Sequence, residues 1–276
     1  MCDTCGCNIT SGNRHLIEDG GKLSHTHSGR EAVSVLQDLL SENDKLAAHN
    51  REHFDRHGVL AVNLMSSPGS GKTALLEATI TALAGEFALG VVEGDLETEN
   101  DADRIRALGV PAVQISTGSA CHLDAHMVHD ALHDLSLDEL DIVFVENVGN
   151  LVCPASFDLG QHMNVTLLST TEGDDKPAKY PVMFRAADLA LITKTDLLAV
   201  LDDFDPAAAE RHLRNLASEA PLICLSSRNG EGLDQWLTWL RQQVESHRDR
   251  VTSGSSRRPA IQEDGVHLHE HGTGGA

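Results

Sequence analysis

Between an apolar run, Val59-Leu-Ala-Val-Asn-Leu-Met65, and a helix-patterned stretch, Ala74 to Ala84, the chain carries Ser66-Ser-Pro-Gly-Ser-Gly-Lys-Thr73. The segment fits the phosphate-loop pattern G-x-x-x-x-G-K-[ST] except that Ser66 stands at the first glycine. Such a loop works by turning backbone N–H groups onto phosphates, with a lysine at the β and γ groups and a hydroxyl on Mg²⁺. Gly69, Ser70, Gly71, Lys72, Thr73 and the following Ala74 supply those parts, Thr73 as the Mg²⁺ ligand. Strand, glycine loop and helix in that order imply an α/β protein.

Further apolar runs at 89–93, 112–116, 141–146, 165–170, 188–192 and 222–225 read as strands, with helical patterns between most of them and a final helix at about 231–247. Alternating β and α elements predict a P-loop NTPase fold, a mainly parallel sheet covered by helices on both faces. The organisation expected is a flexible arm over 1–30, a leading amphipathic helix over 31–57, a domain built on the phosphate loop over 58–248 and a disordered tail over 249–276. A chain of 276 residues buries roughly three quarters of its unfolded surface and needs no disulfides. Acidic residues outnumber basic ones 42 to 21, a poor surface for nucleic acid or anionic lipid, and no run suits a membrane span. A cytoplasmic protein is expected.

Base choice falls to Thr193-Lys194-Thr195-Asp196 after the strand at 188–192, which resembles the Asn-Lys-x-Asp element of GTP-binding proteins. A carboxylate there accepts from the guanine N1–H and amino group, which adenine cannot match, so Asp196 reads the base, with Thr193 in the usual Asn place. Ser226-Ser227-Arg228 occupies the position of a further guanine-contacting loop. Hydrolysis needs carboxylates near the phosphates: Asp95 ends one strand and Glu146 another, the latter followed by Asn147-Val-Gly149-Asn150. Glu146 is expected near Mg²⁺ or its waters with the Gly149 amide at the γ-phosphate, and Asp95 on the attacking water or a Mg²⁺ water, the sequence leaving the two carboxylates' roles interchangeable.

Six cysteines do not form a disulfide framework: Cys2, Cys5 and Cys7 crowd the start, and the rest are scattered. The three close thiols suit a transition metal, and His25, His27, His267, His269 and His271 read either as further donors to it or as solvated histidines. Cys121-His122 and Cys153 follow strands at the edge where nucleotide binds, so two thiolates and an imidazole are positioned for Zn²⁺ or Ni²⁺, and a two-fold axis there would create a dimer site. His122, His126, His129 and His133, spaced by four, three and four, are expected on one helix face as secondary metal sites or as a polar solvent face.

These residues together resemble the HypB family of hydrogenase nickel-incorporation GTPases, over about residues 30–247 plus the thiol arm. The likeness rests on Cys2-x-x-Cys5-Gly-Cys7, Ser67-Pro-Gly-Ser-Gly-Lys-Thr73, Cys121-His122-Leu-Asp-Ala-His126, Glu146-Asn-Val-Gly-Asn-Leu-Val-Cys153-Pro and Ser169-Thr-Thr-Glu-Gly-Asp-Asp175. The resemblance implies a slow GTPase whose nucleotide drives homodimerisation and which delivers nickel to the large subunit of a [NiFe] hydrogenase, with HypA as partner. It implies a high-affinity nickel site at Cys2, Cys5 and Cys7 and an interface metal site at Cys121, His122 and Cys153. The alternatives are a urease accessory GTPase, a metal store or sensor with a vestigial nucleotide site, and a small-metabolite kinase.

Overall fold

The computed structural model describes residues 29–95, 100–118, 120–216 and 218–259. In chain order they form α1 (Gly29–His57), β1 (Leu60–Ser66), α2 (Lys72–Leu83), β2 (Leu89–Asp95), α3 (Asn100–Arg106), β3 (Ala112–Ser116) and α4 (Ala125–Leu132). There follow β4 (Ile142–Glu146), β5 (Met163–Ser169), α5 (Lys176–Lys179), α6 (Pro181–Arg185), β6 (Leu189–Thr193), α7 (Pro206–Asn215), β7 (Leu222–Cys224) and α8 (Leu233–Thr252). The strands make one sheet in the order β3-β2-β4-β1-β5-β6-β7. Every pairing is parallel, so the expected "mainly parallel" sheet is wholly so among the described residues.

The two-residue period of β1 explains how this sheet is covered. Leu60, Val62 and Leu64 face one side and join the core under α2 and α8, while Ala61 faces the other and packs with Phe54 of α1 and Val128 of α4. Strands buried on both faces read as continuous apolar runs, which is why β1, β4 and β5 stand out in the sequence. Trp236 of α8 is fully buried and donates its indole N–H to Thr79 Oγ1 of α2 at 2.8 Å, tying the two helices together. On the other face α1 is held by buried polar contacts. Arg51 forks onto the Asp158 carboxylate at 2.7 and 2.8 Å, and Asn50 donates to the carbonyls of Ala125 and Leu159.

The C-terminal boundary expected at residue 248 falls inside α8, which runs to Thr252. Beyond it Arg257 reaches back to Asp188 Oδ1 at 3.1 Å and Gln243 Oε1 at 3.0 Å, so the chain stays packed to the sheet at least that far. Cys2, Cys5, Cys7, His25, His27, His267, His269 and His271 lie outside the described residues.

β1 sits between β4 and β5, and the connections from it and to β5 leave in opposite directions. Ligands of open parallel sheets bind beyond the strand C-termini at such a switch point. The loops after β1, β4 and β3 all end there.

Candidate nucleotide and metal site

Gly69 and Gly71 adopt the left-handed region, with φ of 74° and 94°, and so give the tight loop between β1 and α2 a shape other residues resist. Lys72 opens α2 and is buried, its Nζ donating to Ser66 Oγ at 3.0 Å and lying 3.9 Å from Glu146 Oε1. Ser66, standing in the usual glycine place, thus gives the lysine an acceptor. Ala74 is exposed in the first turn of α2, and the Ser70 hydroxyl lies 2.8 Å from Glu172 Oε1.

Thr73 Oγ1 donates to Glu146 Oε1 at 3.0 Å. Register pairs Glu146 of β4 with Glu93 of β2, and both are buried. Burial first, and then Glu146, push the Glu93 carboxyl up to about 10, so it holds its proton near neutrality. Burial also raises Glu146, against the pull of Lys72. Glu93 Oε2 and Glu146 Oε2 have no hydrogen-bond partner. Two buried carboxyl groups with orphaned oxygens beside a hydroxyl form a hard-oxygen set that fits Mg²⁺, whose charge would favour their ionised forms. Sequence reasoning missed Glu93. The signal was a charge inside the apolar run Val91-Val-Glu-Gly-Asp95, two residues before Asp95 and hence on its side of the strand. Asp95 closes β2, and its side chain lies outside what the structure describes.

Gly149 presses on the phosphate loop so closely that a Cβ there would fall 2.8 Å from Pro68 Cα. The next residue joins two places. Asn150 donates its backbone N–H to Ser66 O at 2.8 Å and its side-chain Nδ2 to Cys121 O at 3.3 Å. Asn147, fully buried, accepts from Leu123 N at 3.2 Å and donates to Asn63 Oδ1 at 3.2 Å. The segment Asn147–Asn150 therefore touches both the phosphate loop and the backbone around Cys121 and His122.

At the other side of the loop, Thr193 turns its hydroxyl to Ser70 O at 2.7 Å, committing it to the phosphate loop. Lys194 takes φ 59° and lays its Nζ 2.6 Å from Gly69 O. Asp196 accepts from the buried Ser226 Oγ at 2.6 Å, and the backbone N–H groups of Arg228 and Asn229 lie 3.3 and 3.4 Å from that same oxygen. The Ser226-Ser227-Arg228 turn thus orients the carboxylate, with Ser227 half-buried and Arg228 exposed.

Cys121 and Cys153 bring their sulfurs to 3.1 Å as free thiols, and His122 Nδ1 lies 3.8 Å from Cys121 Sγ. The ligand atoms of the three residues all fall within 4.8 Å of one another. His122 is fully buried, stacked on Phe157 at 3.9 Å between ring centroids, and its Nε2 has no partner. Burial lowers its pKa to about 4, keeping the ring neutral. Burial and the neighbouring Cys153 push the Cys121 thiol up to about 11. Two thiols and a neutral imidazole are a donor set for a borderline-soft ion such as Ni²⁺ or Zn²⁺, and such an ion would displace the thiol protons.

The four-histidine helix face needs correction. Asp124 caps α4 by accepting from Met127 N at 2.8 Å, so the helix starts after His122, which sits in the buried loop. His126, His129 and His133 remain on or at the end of α4.

A family model described as the CobW/HypB/UreG nucleotide-binding domain matches residues 60–223. The hydrogenase maturation factor HypB of Azotobacter vinelandii is 55% identical over 211 residues, covering 76% of this chain and 69% of that protein. Its namesake from Escherichia coli strain K12 is 51% identical over 216 residues, 78% of this chain and 74% of that one. A crystal structure of HypB from Helicobacter pylori in complex with nickel superposes with a TM-score of 0.71 at 43% identity, covering 74% of this chain and 96% of that one. Among the described residues no helix is long and apolar enough to cross a membrane.

Proposed function

The chain belongs to the HypB branch of the CobW/HypB/UreG family, and from that premise we propose that it is a GTP-hydrolysing nickel metallochaperone for [NiFe] hydrogenase maturation. The observation that carries the reading is the double attachment of Asn150, by its backbone to Ser66 O and by its side chain to Cys121 O. A loop that senses a terminal phosphate is thereby also a wall of a thiol pocket.

In this reading Lys72 leaves Ser66 for the β and γ phosphates, and Asp196, oriented by Ser226, selects guanine. Gly149 leaves room for the γ-phosphate beside Pro68. Thr73 and Glu146 would hold Mg²⁺, with Glu93 behind them, and the ion would offset charge on the β and γ phosphates. Nickel is the cargo, taken up by Cys2, Cys5 and Cys7 and by the pocket of Cys121, His122 and Cys153, which also suits Zn²⁺. GTP binding brings two copies together at that pocket, and hydrolysis to GDP and phosphate, slow by design, resets the loop after nickel passes on. The partners are a HypA-type chaperone and the hydrogenase large subunit, in the cytoplasm.

A hydrogenase-positive bacterium deprived of its own HypB tests the proposal. Expression of this chain is expected to restore hydrogenase activity without added nickel, and the Lys72→Ala variant to fail. Purified protein should release phosphate from GTP, which a metal store with a vestigial nucleotide site would not do. Failure of the parent chain on both counts overturns the reading.

A further inference from the structure

His49 and His53 are one turn apart on α1, and their Nε2 atoms lie 3.1 Å from each other. On the neighbouring α4, His129 and the C-cap residue His133 repeat the arrangement, Nε2 to Nε2 at 3.4 Å. His129 faces both α1 rings across the helix contact, its ring centroid 5.3 Å from that of His49 and 6.1 Å from that of His53, and His133 adjoins it from the end of α4. Nothing in the sequence separation of about 80 residues announces this meeting, which the packing of α1 on α4 creates.

Hydrogen-bond accounting settles which nitrogens are available. Asn50 is fully buried and spends its Nδ2 on the carbonyls of Ala125 and Leu159, so its Oδ1 is an acceptor. His129 Nδ1, 3.0 Å from that oxygen, is therefore the donor, and the lone pair of the neutral ring sits on Nε2, facing His133. An imidazole whose far N–H is held by a fixed acceptor is the arrangement metal-binding histidines use to set tautomer and ring orientation. Burial lowers the pKa of His53, with His49, Arg56 and His129 acting the same way, and burial lowers that of His129 against the pull of Asp130. Nitrogens about 2.0–2.1 Å from one ion in adjacent positions are roughly 3.0–3.4 Å apart, the separation each pair already has. His49 and His133 are exposed and free to turn toward a shared ion, whereas His126 is directed to Asp130 at 3.4 Å.

We propose that His49, His53, His129 and His133 form an all-nitrogen site for one divalent transition-metal ion, Ni²⁺ or Zn²⁺, bridging α1 and α4 and separate from the thiol pocket. Imidazole donors exclude the hard ions Mg²⁺ and Ca²⁺. The site does not depend on the nucleotide reading, since none of its residues touches the phosphate loop.

Equilibrium dialysis of the full chain against Ni²⁺ and, separately, Zn²⁺ tests it, comparing the parent with His49→Ala/His129→Ala and with His53→Ala/His133→Ala. Each double variant is expected to bind one ion fewer per chain, or to bind that ion roughly a hundredfold more weakly. The thiolate-to-nickel absorption and the rate of GTP hydrolysis should stay at the parent's level. Far-ultraviolet circular dichroism checks that each variant folds, and either one suffices. A folded variant with the parent's stoichiometry and affinity for both ions overturns the site, whatever the outcome for hydrogenase maturation.

Discussion

The two ends of the sheet each carry a trio of potential metal ligands, and they are built differently. At the C-terminal end Cys121, His122 and Cys153 converge with open lone pairs. At the N-terminal end Asp55, His162 and His247 converge as closely, yet His162 has both nitrogens engaged. Its Nδ1 accepts from Ala61 N at 2.9 Å and its Nε2 donates to Asp55 Oδ1 at 3.1 Å, so the ring has no lone pair to offer an ion. His162 thereby pins α1 and β5 to the start of β1 and is withdrawn as a ligand, leaving Asp55 and His247, whose two nitrogens have no hydrogen-bond partner, whereas at the other end the trio's one histidine keeps its Nε2 open. Proximity alone does not make a metal site; the accounting of lone pairs does.

The sharpest test of the contrast separates chemistry from structure at the C-terminal end. Lys72→Ala is expected to lower GTP hydrolysis by about 10²-fold or more, because the developing charge on the γ-phosphate loses its cation, while metal content at Cys121 is unchanged. Phosphate release and metal analysis on the same preparation check both halves. Next, Cys153→Ser should weaken nickel binding at this edge by roughly a hundredfold, whereas His162→Gln should leave it unaltered, as measured by chelator competition. Nickel affinity lost in the His162 variant would erase the distinction between the two ends. A smaller effect belongs to Asn150→Ala, which removes the bond to Cys121 O and keeps the backbone bond to Ser66 O. Any nucleotide dependence of nickel affinity, about tenfold in the parent, should shrink towards none.

The smallest effect concerns stability. Burial and the adjacent His162 hold His247 at about 4, below the 6.5 of an unfolded histidine. Its contribution is therefore complete above pH 6.5 and lost as pH falls toward 4, about 1 kcal/mol between pH 6.5 and 5.5. Urea titrations should show that slope in the parent and a flatter one in His247→Leu.

Much of this was legible in the sequence because it is local. Strands β1 to β7 appear as apolar runs, the phosphate loop as a contiguous motif, and Asp196 as the end of a four-residue element. What eluded it depends on residues brought together from afar. Glu93 acquires meaning only when register sets it beside Glu146, and Asn150 only when its two ends are seen to reach Ser66 and Cys121. The spacing of His122, His126, His129 and His133 suggested one helix face, but the Asp124 cap excludes His122, and His129 finds further partners in Asn50, His49 and His53 of α1. Thr193 matched a base-reading position, while its hydroxyl serves the phosphate loop.

The coupling of phosphate to metal is best probed in a Cys2→Ser/Cys5→Ser/Cys7→Ser chain, which silences the arm, by titrating Ni²⁺ with GDP bound and with a non-hydrolysable GTP analogue bound. Affinities that differ by about tenfold or more are expected from a loop shared by both ligands. Equal affinities in the two nucleotide states would mean that Asn147–Asn150 joins the pockets in space and not in energy.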